Sequence, residues 1–97
     1  MNERQLKHLR RLAHPRRPIV TVGTAGLNDA VIEELERALT DHELLKVRVR
    51  CDDRAERDNV IEELTRRTRS TLVQRVGHVA VLYRPDAKLR RILLPDA

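Results

Sequence analysis

The chain has 97 residues, 40% hydrophobic and 36% charged, which suits one small domain under a heavily charged surface and is too short for two cores. Tyr83 is its only aromatic residue, so the core must be aliphatic, and mechanisms that stack several bases on aromatic side chains are nearly excluded. Twenty Lys and Arg against fifteen Asp and Glu give a net charge of +5, a property that speaks to partners rather than to fold.

The charge is unevenly spread. Residues 1–20 hold six basic residues and one acidic, and residues 21–43 hold one basic and six acidic. An acidic element lies among basic ones, and nucleic acid is the leading class of partner; the alternative is an ordinary solvated surface. The apolar runs are too short for a membrane-spanning helix, and the charged N-terminus lacks the apolar stretch of a signal peptide. A lone Cys51 can form neither an internal disulfide nor a thiolate metal cluster, so a cytoplasmic location is expected.

Leu6, Leu9, Leu12 and Ala13 recur at helical spacing and predict a short basic helix over residues 3–13, stopped by Pro15. Pro18 introduces Ile19-Val20-Thr21-Val22, a β-branched run that reads as a strand and is broken by Gly23-Thr24-Ala25-Gly26. Asn28 is a good N-cap for a second helix, whose stripe is Val31, Ile32, Leu35, Ala38 and Leu39. Leu45, Val47 and Val49 then alternate with Lys46, Arg48 and Arg50, the clearest strand pattern in the chain. Asp53 and Glu56 have capping-box spacing and open a third helix that runs to about Arg67.

Residues 71–76 and 79–84 flank Gly77-His78, a two-residue turn with Gly first, and predict a type II′ hairpin. The pairing sets Val76 opposite Val79 and Leu72 opposite Tyr83, and both hairpin faces carry apolar residues. Residues 86–97 form a basic tail whose Ile92-Leu93-Leu94 packs back on the domain. The order α-β-α-β-α-β-β gives one α/β domain over residues 1–97, with two layers and a four-stranded mixed sheet. Its two β-α-β units imply parallel pairing, and the hairpin adds an antiparallel pair.

Gly23-x-x-Gly26 carries the most information about function. Two glycines let a second backbone approach closely, and the N-terminus of the following helix attracts phosphate. A tight strand-to-helix turn without a ligand is the alternative. The loop lacks the Gly-Lys-Ser/Thr of a nucleotide-binding P-loop and the third glycine of a dinucleotide fingerprint. Lys46, Arg48 and Arg50 form a row of cations about 7 Å apart on the strand face opposite the core. Arg16 and Arg17 precede the first strand and are expected to reach the same ligand from its edge. The four histidines lie at no metal-ligand spacing, and the acids beside Cys51 would raise its thiol pKa rather than activate it. No metal, cofactor or catalytic constellation is expected.

Leu9-Arg10-Arg11-Leu12-Ala13-His14-Pro15, Pro18-Ile19-Val20 and Val22-Gly23-x-x-Gly26-Leu27 together resemble the YhbY family of stand-alone CRM (chloroplast RNA splicing and ribosome maturation) domains. His42-Glu43-Leu44-x-Lys46-Val47 and Val81-Leu82-Tyr83-Arg84-Pro85 extend the likeness over nearly the whole chain. The resemblance implies a fold similar to the C-terminal domain of translation initiation factor three, RNA binding, and association with precursors of the large ribosomal subunit. Many relatives carry a basic or polar residue inside the loop, where this chain has Thr24 and Ala25.

The expectation is a monomeric, non-enzymatic RNA-binding protein with no small-molecule substrate and no membrane partner. Its contacts would come from Arg16, Arg17, Gly23, Thr24, Ala25, Gly26, Lys46, Arg48 and Arg50. A protein-binding adaptor that docks on a ribosomal protein or assembly factor through its acidic second helix is the rival reading.

Overall fold

The computed structural model describes residues 1–88 and 90–95, so positions 89, 96 and 97 of the expected basic tail lie outside the described residues. The elements follow the expected order: α1 (Glu3–Ala13), β1 (Pro18–Val22), α2 (Asp29–His42), β2 (Leu44–Val49), α3 (Arg54–Thr68), β3 (Thr71–Val76) and β4 (Val79–Tyr83). Local chemistry explains the helix starts. Asn2 and Gln5 satisfy each other's backbone N–H groups ahead of α1, Asn28 accepts from Val31 N–H, and Asp53 accepts from Ala55 and Glu56 N–H. No helix among the described residues is long and apolar enough to cross a membrane.

The four strands form one mixed sheet in the order β1-β2-β4-β3. β1 and β2 pair in parallel, as their β-α-β connection requires, with Val22 opposite Val49. The second β-α-β unit does not produce a neighbouring pair. β4 lies between β2 and β3 and is antiparallel to both. Gly77 has a φ of +58° while His78 stays out of the positive-φ region, as a type II′ turn demands.

Val76 does face Val79, but Leu72 faces Leu82 rather than Tyr83, whose partner is Thr71. A bulge between Leu72 and Gln74 inserts one residue. The insertion turns Val73 into the cluster beneath α1, where it is buried.

Helices pack on both faces of the one sheet, within a single domain, and this answers which hairpin face is covered: both are. Leu35, Leu39, Ile61 and Leu64 of α2 and α3 pack on Val20, Val22, Val47 and their neighbours on one sheet face. Leu9 and Ala13 of α1 pack with Leu44, Val73, Val81 and Tyr83 on the other. The α/β architecture with a four-stranded mixed sheet is therefore as expected, but α1 adds a partial third layer to the expected two. Burying a leucine such as Leu9 contributes about 1.5–3 kcal/mol, enough to hold so short a helix in place.

The C-terminal tail is fastened to the domain. Ile92 and Leu94 pack against the α1 cluster, although Leu93 is exposed. Glu43, fully buried at the C-cap of α2 with a φ of +60°, accepts the Asp86 N–H at 2.7 Å and those of Arg91 and Ile92 at 2.9 Å. Gln5 Nε2 donates to the Pro95 carbonyl at 3.1 Å, so the first helix and Pro95 touch.

Candidate nucleic-acid interface

Parallel pairing of β1 with β2 brings the residues that follow each strand to the same end of the sheet. Thr24 from the glycine loop, Arg48 and Arg50 consequently line one depression of about 500 Å³, together with Cys51, Asp52, Glu56 and His78. Arg48 and Arg50 are exposed, and neither forms an ion pair among the described residues.

The loop is a tight turn closed by Gly26 N–H on the Gly23 carbonyl at 3.0 Å. Thr24 and Ala25 avoid positive φ, whereas Gly26 adopts +84°, the conformation for which glycine is suited. Gly23 is different. Its φ lies outside the left-handed region, and a Cβ built there would meet nothing within 4 Å. Neither backbone strain nor packing within the chain requires a glycine at that position.

The helix behind the loop is a weaker anion site than its position suggests. Asn28 already occupies the Val31 N–H, and Asp29 puts a carboxylate into the first turn, where Arg67 approaches it at 3.4 Å. The strongest positive charge near Thr24 is at the end of β2, not at the N-terminus of α2.

Lys46 lies two residues before Arg48 on the same strand face. That face is not opposite the only core, because α1 covers part of it. Lys46 is half-buried there, and its Nζ donates to the His14 carbonyl at the end of α1, at 3.3 Å. Arg16 and Arg17 lie elsewhere. They precede β1, about 13 Å of strand from the glycine loop, and line a separate depression with Ile19, Asp41, His42 and Arg91. Arg16 Nη1 donates to the Leu44 carbonyl at 2.6 Å. The structure therefore groups Thr24, Arg48 and Arg50, places Lys46 next to them, and does not bring Arg16 or Arg17 to the same spot.

Two residues that the sequence pattern does not mark as part of a site also belong to this region. His78, at the hairpin tip, reaches the depression because β4 runs beside β2, with its carbonyl accepting the Val49 N–H at 2.7 Å. Arg57 of α3 lies beneath it, only 7% exposed, with Nη1 on the Cys51 carbonyl at 3.0 Å and 3.2 Å from His78 Nε2. A guanidinium only donates, so Nε2 is the acceptor in this bond. Arg57 has no carboxylate partner among the described residues, and its charge adds to the positive field of the site. Placing β4 next to β2 would have revealed His78.

The depression is poorly equipped for catalysis. Burial pushes the Cys51 thiol up, and the neighbouring Glu56 and Asp53 carboxylates add to that shift, so the thiolate is disfavoured. Among the described residues no three His, Cys, Asp or Glu side chains are placed to hold a metal ion.

Comparison with known proteins agrees with the resemblance. Residues 1–84 match the CRS1/YhbY (CRM) domain family model. A Haemophilus influenzae protein named "RNA-binding protein" is 40% identical over 95 residues, covering 98% of this chain and 95% of its own length. One from Pseudomonas aeruginosa, named "probable RNA-binding protein", is 39% identical over 91% of this chain and 85% of its own. The solution structure of a hypothetical protein from Staphylococcus aureus superimposes with a TM-score of 0.84 at 35% identity, covering 98% of this chain and 99% of that one. With a family match over most of its length and full-length relatives of the same size, the chain belongs to the CRS1/YhbY (CRM) domain family.

Proposed function

We propose that this protein is a non-enzymatic, cytoplasmic RNA-binding protein that acts as a monomer, associates with precursors of the large ribosomal subunit and assists their assembly. The observation that carries the reading is the junction of Thr24, Arg48 and Arg50 beside a Gly23 that the fold itself does not require. An RNA backbone lying across Gly23 would put its phosphates against the two arginines, with Lys46 one step further along the strand. The names of the relatives support an RNA partner. The rival adaptor reading is weakened because Asp29, Glu36 and Glu43 of the acidic segment already bind Arg67, Arg84 and the tail.

Gly23→Ala tests the junction. Folding stability should stay unchanged or rise by about 0.4–1 kcal/mol, since the site tolerates a Cβ, while affinity for single-stranded RNA should fall several-fold. Thr24→Asp should likewise fold normally, because the new carboxylate meets Arg48 and Arg50, and should weaken binding by occupying them. Normal RNA affinity in both variants, measured by fluorescence anisotropy, would reduce the loop to a turn.

Affinity itself should be mainly electrostatic. With four to six phosphates engaged, the slope of log affinity against log salt is expected to be about −3 to −4. A salt-independent affinity contradicts the model. In sucrose gradients the protein should migrate with precursor large subunits, and its absence from those fractions would count against the assembly role.

A further inference from the structure

A second depression, of about 440 Å³, lies on the α1 side of the sheet, between the end of α1 and the β3–β4 hairpin. Its volume is in the range of small-molecule sites, about 300–1,000 Å³. Val76, Val79 and Val81 supply an apolar floor, and Val76 is 61% exposed, one of the few large apolar side chains this charged surface presents to water. Gln74, Lys46 and Arg48 stand at its rim, and no carboxylate lines it. The depression beside Thr24, by contrast, includes Asp52 and Glu56. Arg48 lines both, so the two depressions adjoin at one cation.

An apolar floor inside a cationic, carboxylate-free rim is complementary to a nucleotide: a flat base of low charge attached to a phosphate. From this juxtaposition we infer that the valine-floored depression receives one unpaired nucleobase of the bound RNA, whose adjoining phosphate lies on Arg48. The inference rests on the RNA-binding reading and adds a site to it. The Gln74 amide offers both a donor and an acceptor to a base edge, and Lys46, held by the His14 carbonyl, neutralises the negative end of the α1 dipole at the rim. Aliphatic side chains desolvate a base without stacking on it, so the base should add a several-fold gain in affinity over the backbone alone. A chain with a single, buried aromatic residue thus retains a means of sensing bases.

The test compares a labelled 12-nucleotide single-stranded RNA with the same strand made abasic at alternate positions, by anisotropy, for the parent protein and for Val76→Ser and Gln74→Ala. Both residues are exposed, and a melting curve controls for folding. The parent should bind the intact strand several-fold more tightly than the abasic one. Val76→Ser should remove most of that difference while leaving abasic binding unchanged, and Gln74→Ala should remove part of it. Equal affinities for the two strands in the parent, together with salt-dependent binding of both, would overturn the base site and leave the backbone interface standing. If neither strand binds at low salt, the RNA reading fails and the base site fails with it. Titration with nucleoside 5′-monophosphates should shift the Val76 and Val79 amide resonances more than ribose 5-phosphate does. Shifts with an oligoglutamate peptide but none with nucleotides would assign the depression to a protein partner and overturn the inference.

Discussion

Glu43→Ala is expected to be the most destabilising single substitution outside the aliphatic core, costing about 3 kcal/mol, because a hydrogen bond to a charged group is worth roughly 1.5–3 kcal/mol and three donors lose one acceptor. In a domain of this size that corresponds to a fall in melting temperature of about 12 °C or more. The carboxylate is buried, and the N–H groups it receives come from Asp86, Arg91 and Ile92, residues that belong to no helix or strand. Without it the tail should detach and Ile92 should leave the α1 cluster, which hydrogen exchange at the Arg91 and Ile92 amides would report. Glu43→Gln keeps one acceptor oxygen and should lose less.

The same group sets an acid limit. Burial alone would push the Glu43 carboxyl up, but the backbone N–H groups of Asp86, Ile92 and Arg91, with the Arg91 charge, outweigh it and hold the carboxyl below its ordinary range. A carboxyl whose native pKa is depressed contributes its full stabilisation above the unfolded value, near 4.3, and loses it as pH falls through the native value. Melting temperature should therefore drop below about pH 4 in the parent, and the drop should be shallower in Glu43→Gln. Parallel pH profiles for the two proteins would contradict this account.

Reversing Arg48 and Arg50 together, as Arg48→Glu with Arg50→Glu, should have the largest effect on RNA. Both are exposed, both line the depression beside Thr24, and Arg48 also lines the second one. Affinity at low salt should fall by about a hundredfold or more, and the salt slope should become less steep by about 1.4 if each arginine holds one phosphate. Unlike Lys46, neither holds the end of α1, so the melting curve should be little changed. Lys88→Ala with Arg90→Ala should cost far less. The reason is location: the tail is tied to Glu43, at the end of β2 remote from Thr24. Equal losses from the two pairs would place the interface elsewhere.

Much of this was legible in the sequence because each helix start and strand is written locally. Asn28 and Asp53 cap helices wherever they are placed, and the alternation of Leu45, Val47 and Val49 admits one reading. The meeting of Thr24 with Arg48 and Arg50 was also accessible, since one parallel crossover suffices to align the strand ends. What stayed hidden depends on choices between distant segments. Nothing local tells α1 which sheet face to cover, and the bulge at Val73 appears only once that face needs an extra side chain. Glu43 looks like one more acid of an acidic helix. Its partners lie 43–49 residues away, and no spacing rule reaches so far. Arg16 and Arg17 were grouped with the other cations by sign alone, whereas strand direction separates them.

The bond between Gln5 and Pro95 brings the start of the first helix and position 95 together in space. Chain that enters at the first helix and chain that leaves at Pro95 meet the domain at one place, so a longer protein could carry this unit as an inserted bead without stretching its own backbone. For the same reason a few residues of linker should suffice to join the ends, and new ends could be opened at a remote exposed turn. Copies strung in tandem would each hang from the string at a single point, free to turn their cationic faces toward different stretches of one RNA.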